Sequence, residues 1–329
     1  MTCFHPLQAF YSKDLNPTGK RSLVFRRDDA HPIANQYITK KIYYENKHYV
    51  VDNNPYCFQI PCGQCVGCRL KKSSDWAVRC VHESYCYDNN IFITLTYKPI
   101  LDENGIDIYH NARLDKTHLQ KFNKRLRRYL EYYPDLFKTQ KCSYRDSFSY
   151  YGCGEYGDKN NRPHFHQLIF NLDFKDKIYY QTHNGNKYYR SPTLEKIWGK
   201  GMCVIGELNF KTSAYTARYC MKKLSKNDKN YKGEFAVMSR RVAIGRIFFN
   251  KYFKEIYRDD SIIIEKRHLK PPLYYDCLYR KLNEEHFLSL KTKRKEFAQL
   301  QSIKEQNPSH IYNKEFIKIQ QITTLLRPL

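Results

Sequence analysis

The chain has 329 residues, with 57 Lys and Arg against 33 Asp and Glu, which gives a formal net charge of +24 at pH 7. A hydrophobic fraction of 41%, with 16% aromatic residues, excludes a largely disordered chain, because disordered sequences are poor in such groups. A mean hydropathy of −0.75, with no long apolar run, excludes a membrane-spanning helix.

The hydrophobic pattern divides the chain into three segments: a cysteine-rich and irregular segment over 1–87, a core over 88–264, and a helical tail over 265–329. In chain order, it predicts a helix over 69–84, a strand over 91–97, a helix that Asp115 or Thr117 caps and Pro134 ends, strands over 147–155, 164–172 and 202–208, and a helix from 212 or 213 to 223. This order indicates an α+β fold, in which an antiparallel sheet is covered by helices on one face.

The excess of basic residues favours a polyanionic partner such as DNA, since each Lys or Arg that neutralises a phosphate releases bound counterions. A genome rich in A and T would also raise the Lys, Asn and Tyr content, so the charge by itself leaves that alternative open. The basic residues also cluster, however. Those that we expect to contact DNA are Lys121, Lys124, Arg125, Arg128, Arg162 and Arg218.

Two histidines stand two residues apart in the predicted strand over 164–172. Side chains alternate between the faces of a strand, so His164 and His166 point to the same face and can grip one cation. Glu155 ends the preceding strand and is a candidate third ligand. Two imidazoles and one carboxylate suit Mn²⁺ or Mg²⁺ and leave positions open for water or phosphate. The alternative is a pair of structural histidines near the surface.

Tyr215 and Tyr219 lie one turn apart on the predicted helix over 212–223, and Lys222 and Lys223 lie one turn further on. A tyrosine hydroxyl, with a pKa near 10, is a weak nucleophile at neutral pH. A divalent cation on the phosphate and a lysine nearby would supply the missing activation. The alternative is a stripe of tyrosines that packs into the core.

Cys62, Cys65 and Cys68 repeat every third residue, with Gly63 and Gly67 between them. This spacing predicts a structural zinc, which needs a fourth ligand. Cys3 is the first candidate, followed by His5 and Cys57. An iron–sulfur cluster and a set of unligated thiols are the alternatives.

Taken together, six motifs in chain order resemble those of rolling-circle replication initiators of the HUH endonuclease superfamily, and most closely the replication proteins of gokushovirus-type microviruses. The motifs are Pro61–Leu70, Phe92–Tyr97, Cys153–Gly157, Arg162–His166, Ala214–Tyr219 and Met238–Arg241. The resemblance covers residues 1 to about 255.

The resemblance implies an RRM-like antiparallel sheet of five strands with the histidine pair on a central strand. It implies that His164 and His166 hold a divalent metal, that Tyr215 and Tyr219 are nucleophiles, and that Lys222 or Lys223 assists them. The implied activity nicks one strand of origin DNA, forms a 5′-phosphotyrosine link and later re-joins the strand.

Two other interpretations stay open. One is a plasmid relaxase or transposase of the same superfamily, and the other is a non-catalytic, zinc-bearing nucleic-acid-binding protein. The sequence has no Gly-x-x-x-x-Gly-Lys loop, so a host helicase and a host DNA polymerase are the expected partners of the initiator. The start of the chain does not read as a secretory signal, and we expect the protein to act in the cytoplasm of a bacterial host.

Overall fold

The computed structural model describes residues 3–25, 41–44, 47–50, 57–105, 107, 113–141, 148–157, 161–219, 233–304 and 308–323. Its strands are β1 Leu7–Leu15, β2 Arg21–Val24, β3 Lys41–Tyr44, β4 Lys47–Val50, β5 Cys57–Ile60, β6 Asn90–Leu95, β7 Phe137–Lys138, β8 Ser149–Tyr156, β9 Pro163–Phe170, β10 Asp173–Phe174, β11 Ile178–His183, β12 Asn186–Arg190, β13 Cys203–Glu207, β14 Phe235–Met238, β15 Ile262–Ile264 and β16 Arg267–Leu269. Its helices are α1 Val66–Ser84, α2 Lys116–Tyr132, α3 Pro192–Trp198, α4 Phe210–Tyr219, α5 Arg246–Arg258, α6 Leu273–Leu282, α7 Glu284–Lys304 and α8 Pro308–Thr323. Among the helices of the described segments, none has the length and hydropathy needed to cross a bilayer.

The chain groups into two compact units that do not follow its linear order. The first unit comprises residues 1–72 and 284–326, and the second comprises residues 73–283 and 327–329. The helix expected in the C-terminal tail is present as α7 and belongs to the first unit, together with the N-terminal strands. The segment boundaries at residues 87 and 264 stay predictions.

In the first unit, β1 lies between β2 and β5 in an antiparallel sheet, and β3 pairs with β4 as a hairpin. The expectation of an irregular N-terminal segment is therefore wrong for its described residues. The strand β1 buries Ala9 and Phe10 but exposes most of its other side chains. Without a regular alternation of apolar and polar residues, a strand gives only a weak sequence signal.

A sheet of seven strands forms the second unit, in the order β11-β12-β13-β6-β9-β8-β14, and every described pair in it is antiparallel. An antiparallel sheet was predicted correctly, but the expected number of five strands is wrong. The β11–β12 hairpin, at one edge, is mostly exposed and lacks the apolar alternation of a half-buried strand. At the other edge, β14 is only four residues long.

Helices pack on both faces of this sheet, so the prediction of helices on one face is wrong. On one face, Ile93 and Phe165 pack with Leu119 and Phe122 of α2 and with α3. On the other face, Phe92, Leu168 and Phe170 pack with Cys80 of α1 and with Tyr215 and Ala217 of α4. The reason lies in the central strands: β6 and β9 are apolar at nearly every position, and both of their faces need cover.

Two capping features hold the helices in place around the sheet. Asp115 caps α2 as predicted, because its carboxylate accepts a hydrogen bond from the backbone N–H of Thr117 at 2.8 Å. On the other face, the buried carboxylate of Glu83 in α1 accepts hydrogen bonds from Ser149 Oγ at 2.9 Å and from the backbone N–H of Gly245 at 2.8 Å. These bonds join α1 to β8 and to the start of α5.

Candidate active site

The two histidines project from the central strand β9 toward the face that α1 and α4 cover. The cross-strand register places Glu155 of β8 directly opposite His164, and Thr94 of β6 directly opposite His166. His164 Nε2 lies 2.6 Å from Glu155 Oε1, and His166 Nε2 lies 3.1 Å from the same oxygen. The strand pairing therefore brings together the three ligands expected from the sequence.

Tyr215 completes this cluster from above the sheet. The helix α4 packs on β8 and β9, and the Tyr215 hydroxyl donates a hydrogen bond to Glu155 Oε1 at 3.2 Å. Its ring meets the His166 ring edge to face, with centroids 5.2 Å apart. The phenolic oxygen and the imidazole nitrogens thus lie on the same side of the sheet and converge on one carboxylate oxygen.

The outer nitrogens of both histidines are used elsewhere, which turns each Nε2 toward Glu155. His166 Nδ1 lies 2.9 Å from Thr94 Oγ1, and His164 Nδ1 lies 3.2 Å from the carbonyl oxygen of Arg162. A carbonyl only accepts hydrogen bonds, so His164 Nδ1 carries the proton and the Nε2 of the neutral ring presents a lone pair. That lone pair faces a carboxylate oxygen, an arrangement that a positive charge shared by the two groups makes favourable.

Burial controls the charges in this cluster. Burial would raise the pKa of the Glu155 carboxyl, but contact with His164 and His166 outweighs it and lowers that pKa to about 2. Burial also lowers the pKa of His166, and the nearby Glu155 offsets this effect only in part. At neutral pH the carboxyl group is therefore ionised and His166 is neutral, which are the forms in which both residues bind metals.

The donor set fits a divalent cation. One ligand atom from each of Glu155, His164 and His166 lies within 4.8 Å of the others. Glu155 Oε2 is buried and has no hydrogen-bond partner among the described residues, so this oxygen also has an unmet need for a positive group. Two imidazole nitrogens with one carboxylate suit Mn²⁺ or Mg²⁺, and they leave coordination positions for other oxygens.

Comparison with known proteins places this geometry in a family. The sequence profile of the replication-associated protein ORF2 family matches residues 90–227. The replication-associated protein VP4 of Bdellovibrio phage phiMH2K is 34% identical over 257 residues, which cover 76% of this chain and 78% of the phage protein. The replication-associated protein ORF2 of Spiroplasma virus 4 is 33% identical over 269 residues, which cover 77% of each chain.

The chain belongs to the microvirus replication-associated protein family. The replication-associated protein ORF4 of Chlamydia phage 1 is a further relative, 30% identical over 241 residues, which cover 70% of this chain and 56% of that protein. No solved structure matches the chain. The resemblance recognised in the sequence motifs is thereby confirmed at the level of the family.

The range matched by the family profile contains the whole cluster of the replication-associated protein: Thr94, Glu155, His164, His166 and Tyr215. It also contains three further predicted residues, Tyr219, Lys222 and Lys223. The two lysines lie outside the described residues, as do the side chains of Tyr219 and Arg218. Their roles stay predictions.

The basic residues predicted to bind DNA fall into two groups in the structure. Lys121, Lys124 and Arg128 are exposed on α2, on the sheet face opposite the Glu155 cluster. Arg125 instead donates hydrogen bonds to the carbonyls of Ile197 at 2.7 Å and Trp198 at 2.8 Å, where α3 ends.

Arg162 pairs with Asp107 at 2.8 Å and donates a hydrogen bond to the Tyr97 carbonyl at 2.9 Å. These partners tie Arg162 to the segments that follow β6. Binding of DNA by any of these basic residues stays a prediction.

The sequence analysis missed Thr94, which holds His166. The residue is almost completely buried in β6 and is the one polar side chain in the run Ile91–Leu95. A lone polar residue in a strand that is otherwise apolar is the signal that could have drawn attention to it, because a buried hydroxyl needs a partner.

The cysteines predicted to bind zinc form a second cluster, in the first unit. The sulfur atoms of Cys3, Cys62, Cys65 and Cys68 lie within 4.8 Å of one another. His5, which was an alternative fourth ligand, instead contacts Glu315 of α8 at 2.8 Å. The side chain of Cys57, the other alternative, lies outside the described residues.

Proposed function

We propose that this replication-associated protein starts rolling-circle replication of a phage genome by nicking single-stranded origin DNA through a tyrosine. The observation that carries the proposal is the convergence of His164, His166 and the Tyr215 hydroxyl on Glu155 Oε1, at 2.6, 3.1 and 3.2 Å. A nucleophile beside a candidate metal-binding group is the arrangement that phosphoryl transfer requires.

In this reaction, the Tyr215 oxygen attacks the phosphorus of one phosphodiester bond. A P–O bond forms to the phenolic oxygen and the P–O3′ bond breaks, so the DNA stays joined to the protein through its 5′ phosphate. The phenolic proton is released, and the departing 3′ oxygen gains a proton to become a free 3′-hydroxyl. The hydrogen bond to Glu155 orients the hydroxyl for this attack.

Glu155, His164 and His166 would hold Mg²⁺ or Mn²⁺, which supplies Lewis-acid stabilisation of charge on the phosphate oxygens. Thr94 and the Arg162 carbonyl fix the two rings with Nε2 directed into the site. His164 is 18% exposed, whereas the side chains of Glu155 and His166 are nearly inaccessible, so the phosphate would approach from the side of His164.

The free 3′-hydroxyl primes synthesis by a host polymerase, and a host helicase opens the duplex inside the bacterial cell. The phosphotyrosine conserves the energy of the broken bond, so the strand can be re-joined without a nucleotide cofactor. Tyr219 would act as the second nucleophile in successive rounds, and Lys222 or Lys223 would neutralise charge near the phosphate.

The proposal is tested with single-stranded oligonucleotides that tile the genome encoding the chain, incubated with the full-length protein and Mn²⁺. We expect a covalent adduct that survives denaturation with detergent. A label at the 3′ end of the cleaved oligonucleotide should travel with the protein, and a label at its 5′ end should be released.

Single and double Tyr→Phe variants at 215 and 219 identify the nucleophile, and Tyr85→Phe, an exposed tyrosine at the end of α1, is the matched control. We expect the adduct to be lost in the double variant and in His166→Ala, and kept in the control. An adduct formed by the double variant would refute the tyrosine assignment. Salt-sensitive DNA binding without any adduct would favour a non-catalytic binding protein.

A further inference from the structure

We infer that Cys3, Cys62, Cys65 and Cys68 bind one structural Zn²⁺, which joins the N-terminus to the segment that begins α1. Cys3 lies four residues before β1, and Cys62 lies two residues after β5. These two strands pair antiparallel, with Leu7 opposite Ile60, so the sheet itself delivers the distant cysteine to the other three.

The sulfur separations match a tetrahedral ion. Cys3 Sγ lies 3.6 Å from Cys62 Sγ and 3.8 Å from Cys65 Sγ. Four sulfurs at a Zn–S distance of about 2.3 Å stand about 3.8 Å apart along the edges of the tetrahedron. A disulfide would need a separation near 2.0 Å, and all four cysteines are unpaired.

Backbone amides point at three of the sulfurs. Cys3 Sγ accepts a hydrogen bond from the N–H of Cys62 at 3.2 Å, and Cys65 Sγ accepts one from the N–H of Phe4 at 3.4 Å. Cys62 Sγ accepts two, from Gln64 at 3.4 Å and Cys65 at 3.2 Å. A neutral thiol is a weak acceptor, so these donors favour thiolates. Thiolates packed this closely need a cation between them.

Gly63 allows the chain to turn around that position. Its φ of +70° lies in the left-handed region that favours glycine, and the turn directs the amides of the next two residues back at Cys62 Sγ. Cys68 stands in the first turn of α1, where the positive end of the helix dipole also favours a thiolate.

Zinc is the ion that this set fits best. Four sulfurs within 4.8 Å of one another surround a single centre, whereas a four-iron cluster sets each cysteine sulfur on a different iron and spreads the four apart. A single iron would accept the same four sulfurs, and elemental analysis separates the two ions.

The first unit also has a need for such a cross-link. Among its described side chains, the buried apolar ones are few: Phe4, Ala9, Phe10, Cys65 and Leu290. A small core supplies little stability, and structural metals compensate for this in small folds. His5, two residues after Cys3, contacts Glu315 of α8, so the cross-link would also fix the segment that carries this contact.

The test is elemental analysis of full-length protein purified without added metal, in which we expect at least about one zinc per chain. The Cys3→Ser variant should lose about one equivalent, whereas Cys277→Ser, an exposed cysteine of α6, should lose none. His166→Ala should also keep this equivalent, because it belongs to the other metal-binding group. Addition of a strong chelator to the wild-type protein should lower Tm, and added Zn²⁺ should restore it.

Loss of zinc in Cys3→Ser but not in Cys277→Ser supports the site even if the protein never nicks DNA. A wild-type zinc content below about half an equivalent, equal zinc in the two serine variants, or one iron in place of zinc would overturn the inference. If Cys3→Ser fails to fold, Co²⁺ replaces zinc in the wild type. Visible absorption typical of thiolate-bound tetrahedral Co²⁺ supports the site, and its absence contradicts it.

Discussion

Replacement of Thr94 by Val tests whether the hydroxyl that holds His166 tunes a metal site. Valine has nearly the shape of threonine and suits a strand equally well, so the change removes one hydroxyl and leaves β6 intact. Without it, the buried His166 Nδ1 loses the partner at 2.9 Å that fixes the tautomer and orientation of the ring.

Removing the partner of a buried polar group costs about 1–3 kcal/mol. Loss of the hydrogen bond to a metal-binding histidine weakens metal affinity by roughly ten- to a hundredfold, which corresponds to about 1.4–2.8 kcal/mol. The two ranges agree, so we expect the full cost to appear in the affinity for Mn²⁺. Adduct formation, measured against Mn²⁺ concentration, should keep its plateau while its midpoint rises by that factor.

Thr96→Val is the matched control, because the Thr96 hydroxyl bonds to the Met202 carbonyl at 2.9 Å, away from the histidines. Its Mn²⁺ midpoint should equal that of the wild type. An unchanged midpoint in Thr94→Val, or a lower plateau at the same midpoint, would refute the assigned role of Thr94.

Three further predictions follow from the second unit. The double variant Lys121→Gln/Lys124→Gln should lower the slope of log K against log salt for single-stranded DNA by about 1.4, and an unchanged slope would exclude this surface from DNA binding. Arg125→Gln should lower the free energy of unfolding by about 2 kcal/mol in urea titrations, through loss of the charged hydrogen bonds at the end of α3, and a neutral effect would contradict that role. Burial lowers the pKa of His82 to about 3, well below its value in the unfolded chain, so its contribution to stability is present above pH 6.5 and is lost as the pH falls. The wild type should therefore lose about 2 kcal/mol from this group between pH 7.5 and pH 5, whereas His82→Asn should lack that dependence.

Part of the candidate site follows from local geometry. The alternation of side chains along β9 puts His164 and His166 on one face wherever the strand lies in the sheet. The Asp115 cap was predictable for the same reason, because a capping side chain reaches only the next few residues. The pairing of Glu155 with His164 depended on the short connection between β8 and β9, which limits the possible registers.

Other features depend on contacts between distant parts of the chain. Thr94 meets His166 through the pairing of β6 with β9, which are 72 residues apart at that point. The position of α2 on the far face depends on which side of the sheet its apolar stripe covers, and the amphipathic pattern is the same for either side. This placement separates the exposed lysines of α2 from the tyrosine that they had been expected to serve.

The sequence by itself determined the residue types, the local periodicities and the family of this protein, because short-range geometry and motif order are written directly in the chain. Only the tertiary structure decided that Tyr215 reaches Glu155, that helices cover both faces of a sheet of seven strands, and that Cys3 joins the other three cysteines. The physical reason is that strand register and the choice of sheet face are set by burial of the whole core, to which residues far apart in sequence contribute together.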